Sequence, residues 1–142
     1  MKPELRAFRN GRESGDHAVP TMKPLVHPAS EDITIEGILH ALADPVRMHI
    51  FAEIAAAGGP LTCSPFLEVD MRPIPKSTLS QHFRVLREAG LIRSERKGVE
   101  MHNSVRQEDL HPRFTPLLKA IVHAHKEQVG RDALRRRRVS RR

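Results

Sequence analysis

Apolar residues recur in the first half of this chain at the spacing of short amphipathic helices. In ITIEGILHALA they fall on one stripe, which predicts a helix over residues 33–43. Asp44-Pro45 ends this helix and begins a second one, because Asp caps a helix N-terminus well and Pro fits the first helical turn. The second helix, PVRMHIFAEIAAAG, ends at Gly58-Gly59. The side chains predicted to be apolar contacts of these helices are Ile35, Ile38, Leu39, Leu42, Val46, Ile50, Phe51 and Ile54.

Three further helices are predicted after the second. Residues 61–69, LTCSPFLEV, favour a short third helix capped by Thr62 or Ser64, and the prolines of DMRPIP exclude a helix interior after it. The fourth helix is predicted over 76–89 and the last over 109–129. The apolar set of the last helix is Leu110, Phe114, Leu117, Leu118, Ile121 and Val122.

The fourth helix has two faces with different chemistry. Leu79, Phe83 and Leu86 recur at i, i+4 and i+7 and form an apolar stripe. The opposite side carries hydroxyls, an amide and a guanidinium, with no acid: Ser77, Ser80, Gln81 and Arg84. A face that only served solubility would usually mix both signs of charge. Small hydrogen-bonding groups plus arginine instead suit the floor of a DNA major groove.

A basic β-hairpin follows this helix. The helix stops at Ala89-Gly90, a glycine signal typical of helix C-termini. IRSERKGVEMHNSV then predicts two short strands with the turn at Lys97-Gly98 and the inward residues Ile92, Val99, Met101 and Val105. Helix, glycine stop and hairpin together predict a mainly α fold with a small β-hairpin wing, the winged helix-turn-helix.

The distribution of charge supports contact with a polyanion. The net charge is +7, yet residues 31–70 carry seven acidic groups and one basic group. Residues 71–107 carry eight basic and three acidic groups, and residues 130–142 carry seven basic and one acidic. Positive charge is therefore concentrated on the helix–hairpin segment and on the C-terminus, as expected of a nucleic-acid-binding protein.

Composition along the chain predicts the domain boundaries and the cellular compartment. Residues 1–30 are polar, contain four prolines and predict a disordered extension; residues 31–129 form one domain, and 130–142 a disordered basic tail. No apolar run approaches the roughly 18 residues of a membrane span. The N-terminus lacks the apolar core of a secretory signal. With a single cysteine, Cys63, these features predict a cytoplasmic protein.

Two motifs give the chain a resemblance to the ArsR/SmtB family of small dimeric winged-helix repressors. They are ALADPVRMHIF at 41–51 and KSTLSQHFRVLREAGLIRSERKG at 76–98. The resemblance implies the element order α-α-α-α-β-β-α and a homodimer in which the first and last helices pair across a two-fold axis. Each subunit would then insert one recognition helix into double-stranded DNA.

The same resemblance assigns residues to the DNA interface. The recognition helix would present Lys76, Ser77, Thr78, Ser80, Gln81 and Arg84, and the hairpin tip would touch phosphate through Arg96 and Lys97. His82, beside the apolar stripe, is interpreted as a structural hydrogen-bonding residue. Arg87 is open to two interpretations, DNA contact or a solvated position balanced by Glu88.

Many members of this family sense metals or redox state through defined sets of ligand residues. This sequence matches those sets only in part. The thiolate site needs a CxC pair, whereas Cys63 stands alone and position 65 is Pro. The second site begins with an acid and a His two residues apart. Asp109 and His111 fit that start, but His123 and Glu127 are displaced by about one residue, and His125 faces another way from His123. No metal and no cofactor is expected, and the effector stays unassigned.

The leading functional hypothesis is a sequence-specific transcriptional regulator, a repressor that binds an inverted-repeat operator as a dimer. The alternative is a non-specific nucleic-acid-binding or architectural protein that uses the RRRRVSRR tail. An enzyme is not expected, because no phosphate loop, nucleophile elbow or HExxH motif occurs.

Overall fold

Five α-helices and two β-hairpins follow one another in the computed structural model, which describes residues 25–69 and 72–142. The helices are α1 (Ile35–Leu42), α2 (Pro45–Ala57), α3 (Lys76–Glu88), α4 (Gln107–Leu110) and α5 (Thr115–Ser140). The strands are β1 (Glu68–Val69), β2 (Arg72–Pro73), β3 (Ile92–Lys97) and β4 (Glu100–Val105). Each hairpin is antiparallel, β1 with β2 and β3 with β4. This arrangement confirms the predicted winged helix-turn-helix.

The boundary between the first two helices is set by side-chain caps. The hydroxyl of Thr34 accepts a hydrogen bond from the amide of Gly37 at 3.1 Å, which fixes the start of α1. The carboxylate of Asp44 accepts from the amides of Val46 at 2.8 Å and Arg47 at 3.0 Å, at the start of α2. Burial alone would raise the pKa of Asp44, but these hydrogen bonds and the nearby His82 lower it overall. The predicted Asp-Pro junction is therefore confirmed.

One apolar core joins α1, α2, α3, the hairpin β3–β4 and the start of α5. Its most deeply buried side chains are Ile33, Ile38, Ile50, Phe51, Ile54, Leu86, Leu91, Ile92 and Leu110. Leu39, predicted on the apolar stripe of the first helix, is instead 51% exposed, because Ile38 and Leu42 already occupy the side of α1 that meets the core.

Gly90 ends α3 in a conformation that other residues rarely adopt. Its φ is +81°, and a Cβ atom there would lie 2.5 Å from Cγ1 and 2.6 Å from Cδ1 of the buried Ile33. Glycine is therefore required both by the backbone angle and by the close approach of the segment before α1. The predicted glycine stop is confirmed.

The hairpin β3–β4, the wing, departs from the prediction at its turn. Lys97 pairs with Glu100, so Gly98 and Val99 are the turn residues, one position later than predicted. Ile92 is fully buried and Val105 half-buried. Val99 points away from the core and is completely exposed, so its predicted inward position is wrong. A valine that follows the turn glycine cannot reach the core from the tip.

The third and last predicted helices are also revised. Residues 61–69 contain only one 3-10 turn, Ser64–Phe66, followed by strand β1, because Pro65 and the short apolar run do not sustain an α-helix. The predicted helix over 109–129 is divided: α4 ends at Leu110, and α5 begins at Thr115, after His111-Pro112.

Both predicted disordered ends require correction where the structure describes them. Residues 1–24 of the predicted extension lie outside the described residues. Residues 25–30 pack on the domain, since Pro28 accepts a hydrogen bond from Arg106 at 2.8 Å and Ser30 donates to Asp109 at 3.2 Å. At the other end, α5 continues to Ser140, through most of the predicted tail. Arginine, alanine and leucine are good helix formers, and one glycine at position 130 costs only about 1 kcal/mol.

No helix in the described part of the chain is long and apolar enough to span a lipid bilayer.

Candidate nucleic-acid interface

One face of α3 is exposed, and over the first three turns its only charged side chain is that of Arg84. Ser77, Ser80, Gln81 and Arg84, the polar face of α3, are all exposed. Lys76 and Thr78 flank this face at the start of the helix and are exposed as well. Pro75 precedes the helix and supplies no side-chain cap, which leaves the first backbone amides available to an acceptor.

The opposite face of α3 is held in the core. Leu79, Phe83 and Leu86 are buried, and the ring of Phe83 meets that of Phe66 edge-on at 5.7 Å between centroids. This face packs on α1 and α2. Because three successive turns are anchored, the polar face is presented in one fixed orientation, as base readout requires.

His82 links α3 to the start of α2. Its Nδ1 lies 4.0 Å from a carboxylate oxygen of Asp44, the residue that caps α2, and its side chain is largely buried. This position supports the structural interpretation of His82 over a contact with DNA bases.

The last turn of α3 corrects the expectation of an acid-free face. Glu88 lies four residues after Arg84, and the two side chains form an ion pair at 2.8 Å. This hydrogen bond from Arg84 to Glu88, together with the charge of the carboxylate, raises the pKa of the guanidinium. The polar face therefore contains one acid in its last turn, and Arg84 must leave Glu88 to reach a base.

Arg87 does not pair with Glu88, contrary to the solvated interpretation. It turns toward the wing, where its Nη1 donates to the hydroxyl of Ser94 at 3.3 Å. Burial lowers the pKa of Arg87. Its Nε is buried without a hydrogen-bond partner among the described residues. Arg87 is thus a half-buried link between α3 and the wing.

The wing carries the two predicted phosphate-binding residues near its tip. Arg96 and Lys97 are exposed in the last two positions of β3. The exposed Val99 stands beside them in the turn, so the tip combines two cations with one apolar side chain. The exposure of Val99 was not evident from the sequence, because its alternation with Met101 suggested an inward side chain.

Asn103 ties the base of the wing to the segment before α3. Its backbone exchanges two hydrogen bonds of 2.8 Å with Leu61, and its side-chain amide donates to the Leu61 carbonyl at 3.2 Å. Its side-chain oxygen accepts from the hydroxyl of Ser94 at 2.7 Å. Asn103 and Ser94 are both buried.

A contact from the N-terminal side also reaches the wing. The backbone amide of Ser94 donates to Nε2 of His27 at 3.0 Å. Burial is the main cause that lowers the pKa of His27, and the neighbouring guanidinium groups of Arg93, Arg87 and Arg106 lower it further. His27 and Ser94 are 67 residues apart in sequence, so no local pattern could have found this pair.

The candidate sensor residues are dispersed or already paired. Burial raises the pKa of the Cys63 thiol, which opposes formation of the reactive thiolate. Asp109 accepts hydrogen bonds from Arg106 at 2.9 Å and Arg93 at 3.4 Å, and the bond from Arg106 is the main cause that lowers its pKa.

The histidines proposed for the second metal pattern do not converge. His111 is exposed, and His123 lies 3.5 Å from Glu127 on the surface of α5. His125 lies on another face, near His49. Within residues 25–69 and 72–142, no group of three or more potential ligands is placed to hold a metal ion.

Comparison with known proteins gives one family match. A family model described as a helix-turn-helix domain matches residues 42–95, from the end of α1 into β3. No curated protein matches the chain.

Solved structures similar to the chain include the following two. One is an ArsR family transcriptional regulator, 22% identical, which covers 67% of this chain and 94% of its own, with a TM-score of 0.47. The other is Rv0081 of M. tuberculosis, 24% identical, which covers 71% of this chain and 89% of its own, also with a TM-score of 0.47.

Proposed function

We propose that this chain is a winged helix-turn-helix transcriptional regulator of the ArsR type and that it acts as a repressor on an inverted-repeat operator. Residues 42–95 match a helix-turn-helix domain, and DNA-binding domains of this kind place their second helix in the major groove. The observation that carries the proposal is the division of α3 into an anchored apolar face and an exposed polar face, followed directly by a basic wing.

The proposed mechanism assigns base readout to α3. Gln81 has the donor and acceptor geometry to pair with adenine, and Arg84 to pair with guanine, each worth roughly 1–3 kcal/mol of discrimination. Lys76, Ser77, Thr78 and the uncapped amides of the first turn are suited to a phosphate oxygen, which the helix dipole favours. The hydroxyl of Ser80, in the middle of the polar face, would accept a hydrogen bond from a base or donate one to it, in either type of base pair.

The wing would add contacts to the flanking backbone. Arg96 and Lys97 carry the charge, while Val99 would fill space against the sugar edge of the groove. These contacts are insensitive to sequence, so they raise affinity and fix orientation without setting the operator.

The repressor is proposed to act as a homodimer through α1 and α5. Leu39 on α1 and Leu117 on α5 are 51% and 36% exposed, and a dimer formed through these two helices would cover them. A two-fold dimer would place two α3 helices against half-sites about one helical turn apart. Occlusion of a promoter by such a dimer would account for repression.

Fluorescence anisotropy on the DNA upstream of its own gene, with scrambled DNA as competitor, tests the proposal. We expect tight binding that survives the competitor at physiological salt. Arg84→Ala should weaken specific binding by roughly 5- to 150-fold and leave binding to scrambled DNA nearly unchanged. Lys126→Ala, an exposed cation on α5, removes the same charge away from α3 and should have little effect.

Equal competition by scrambled DNA would overturn the proposal. In that case binding would be electrostatic and sequence-blind, as in an architectural protein that uses the arginine-rich C-terminus.

A further inference from the structure

The C-terminal part of α5 is helical but does not pack on the core of the domain. Leu118 is the last buried residue of α5, and Ile121 and Val122 are the last apolar side chains that pack against the core. Residues 130–142, the basic extension, are exposed except for the half-buried Asp132, and they remain helical to Ser140. At about 1.5 Å per residue, the helical part projects roughly 16 Å beyond Val129.

Three arginines of the basic extension share one face. Arg131, Arg135 and Arg138 recur at i, i+4 and i+7 and form the arginine stripe, whereas Arg136, Arg137 and Arg141 are spread over the other sides. Asp132, the single acid of residues 130–142, lies about 90° around the helix from the centre of the stripe. The stripe is therefore a row of like charges without an acid among them.

Apolar side chains of the same region do not form a competing surface. Val129, Leu134 and Val139 are exposed, but at about 100° per residue they point in three directions around the helix. A helix that lies in a lipid interface needs its apolar residues on one face. The chemistry of the extension thus favours a partner that offers only negative charge.

We propose that the arginine stripe binds the phosphate backbone of the DNA that flanks the operator. This inference rests on the proposed function, because α3 and the wing would bring duplex DNA to the same protein. Successive stripe residues rise about 6 Å and 4.5 Å along the helix, comparable to one or two phosphate steps of about 3.4 Å on a DNA strand. Guanidinium groups bind phosphate oxygens in bidentate geometry, so a regular row of them follows a backbone without reading its bases.

Two triple variants of the full chain provide a matched test. The stripe variant is Arg131→Gln, Arg135→Gln and Arg138→Gln; the control is Arg136→Gln, Arg137→Gln and Arg141→Gln. Each removes three charges, and glutamine keeps a helix propensity close to that of arginine. Far-UV circular dichroism should show equal helix content in both variants.

The binding measurement uses two duplexes of the same upstream DNA, of about 20 and 40 base pairs, titrated by anisotropy at several salt concentrations. We expect the native chain to prefer the longer duplex. The stripe variant should lose that preference, and its slope of log K against log salt should fall by about 0.9 for each phosphate that the stripe no longer neutralises. The control variant should retain most of the preference for the longer duplex and most of the salt dependence.

Three results would overturn the inference. Equal losses in the two variants would mean diffuse attraction by the net charge, and an unchanged stripe variant would mean that DNA does not contact the stripe. Binding of the stripe to phosphatidylglycerol vesicles in preference to DNA would also reject it. Scrambled versions of both duplexes separate this failure from that of the proposed function, since loss of operator preference in the native chain concerns α3 and not the stripe.

Discussion

Helix α3 and the basic extension of α5 both expose arginine, but only α3 has an opposite face in the core. Three of its turns are anchored by Leu79, Phe83 and Leu86, whereas residues 130–142 bury no side chain. A fixed helix can aim a guanidinium at a particular base edge, and an unanchored one can only meet the uniform phosphate backbone. Burial on one side of a helix, more than charge on the other, therefore decides between specific and non-specific readout of DNA.

The largest expected effect comes from removing the anchor of α3 at its C-terminal end. Gly90→Ala places a Cβ atom within 2.6 Å of the buried Ile33 side chain at a φ of +81°, so either the backbone at residue 90 or the packing of Ile33 must shift. We expect a loss of about 3 kcal/mol in the free energy of unfolding, measured by urea denaturation. Specific DNA binding should fall with it, while binding through the extension persists.

Gly59→Ala is the matched control for this substitution. Nothing lies within 4 Å of a Cβ atom at Gly59, so a change below about 0.5 kcal/mol is expected. If Gly90→Ala is as harmless as Gly59→Ala, the end of α3 is not held by this contact.

The second effect concerns the part of α5 that precedes the extension. Leu117→Lys places a charge on the face proposed for dimerisation, and an unpaired charge in an interface costs several kcal/mol. Sedimentation analysis should show a dissociation constant raised by roughly 100-fold. His123→Lys, an exposed position on another face of α5, should leave the dimer intact. A Leu117→Lys variant that remains dimeric would show that the dimer interface lies elsewhere on the molecule.

A smaller effect is expected from pH at the contact that braces the wing. His27 accepts a hydrogen bond from Ser94 in its neutral form, and its pKa is lowered by burial and by three arginines. A histidine with a lowered folded-state pKa contributes stability that is complete above about pH 6.5 and declines as pH falls below that value.

The measurement is the unfolding free energy between pH 8 and pH 5 for the native chain and for His27→Gln. Glutamine cannot titrate but retains an acceptor oxygen, so the variant should lose less stability on acidification. Identical pH profiles would show that protonation of His27 is not linked to folding.

The smallest expected effect comes from removing the one negative charge on the polar face of α3. Glu88→Gln removes the carboxylate that pairs with Arg84 at 2.8 Å, and the guanidinium no longer has to leave an ion pair on binding DNA. Affinity should rise by about two- to fivefold, since exposed ion pairs are weak. Glu108→Gln, an exposed acid on α4, serves as the control. A decrease with Glu88→Gln would mean that the ion pair orients Arg84 for binding.

Local periodicity predicted the elements whose residues carry strong local signals. The apolar stripe of α3, the Asp44-Pro45 junction and the Gly90 stop all appear as expected, because spacing, capping and glycine conformation act over a few residues. All eight predicted DNA-binding residues are exposed, although their contact with DNA stays a prediction. Periodicity indicated four of them, Ser77, Ser80, Gln81 and Arg84, and the family resemblance supplied the others.

The errors arise where tertiary contacts or weak propensities decide. Residues 61–69 have an apolar run too short to distinguish a helix from a strand, and Leu61 pairs instead with Asn103. The helical extension was missed because Gly130 and a run of like charges suggest an end, whereas the remaining residues favour helix. Pairings such as His27 with Ser94 depend on the completed fold.

Asn103 has one more consequence, for the alignment of the two wing strands. A hairpin whose partners slip by one residue turns every side chain to the other side of the sheet. If β4 slipped in this way, the amide of Asn103 would leave the core, and the buried hydroxyl of Ser94 and the carbonyl of Leu61 would lose their hydrogen bonds to it, at a cost of about 1–3 kcal/mol for each buried group left unpaired. The buried amide of Asn103 therefore fixes the register of the two wing strands. This register keeps Arg96 and Lys97 at a constant distance from α3.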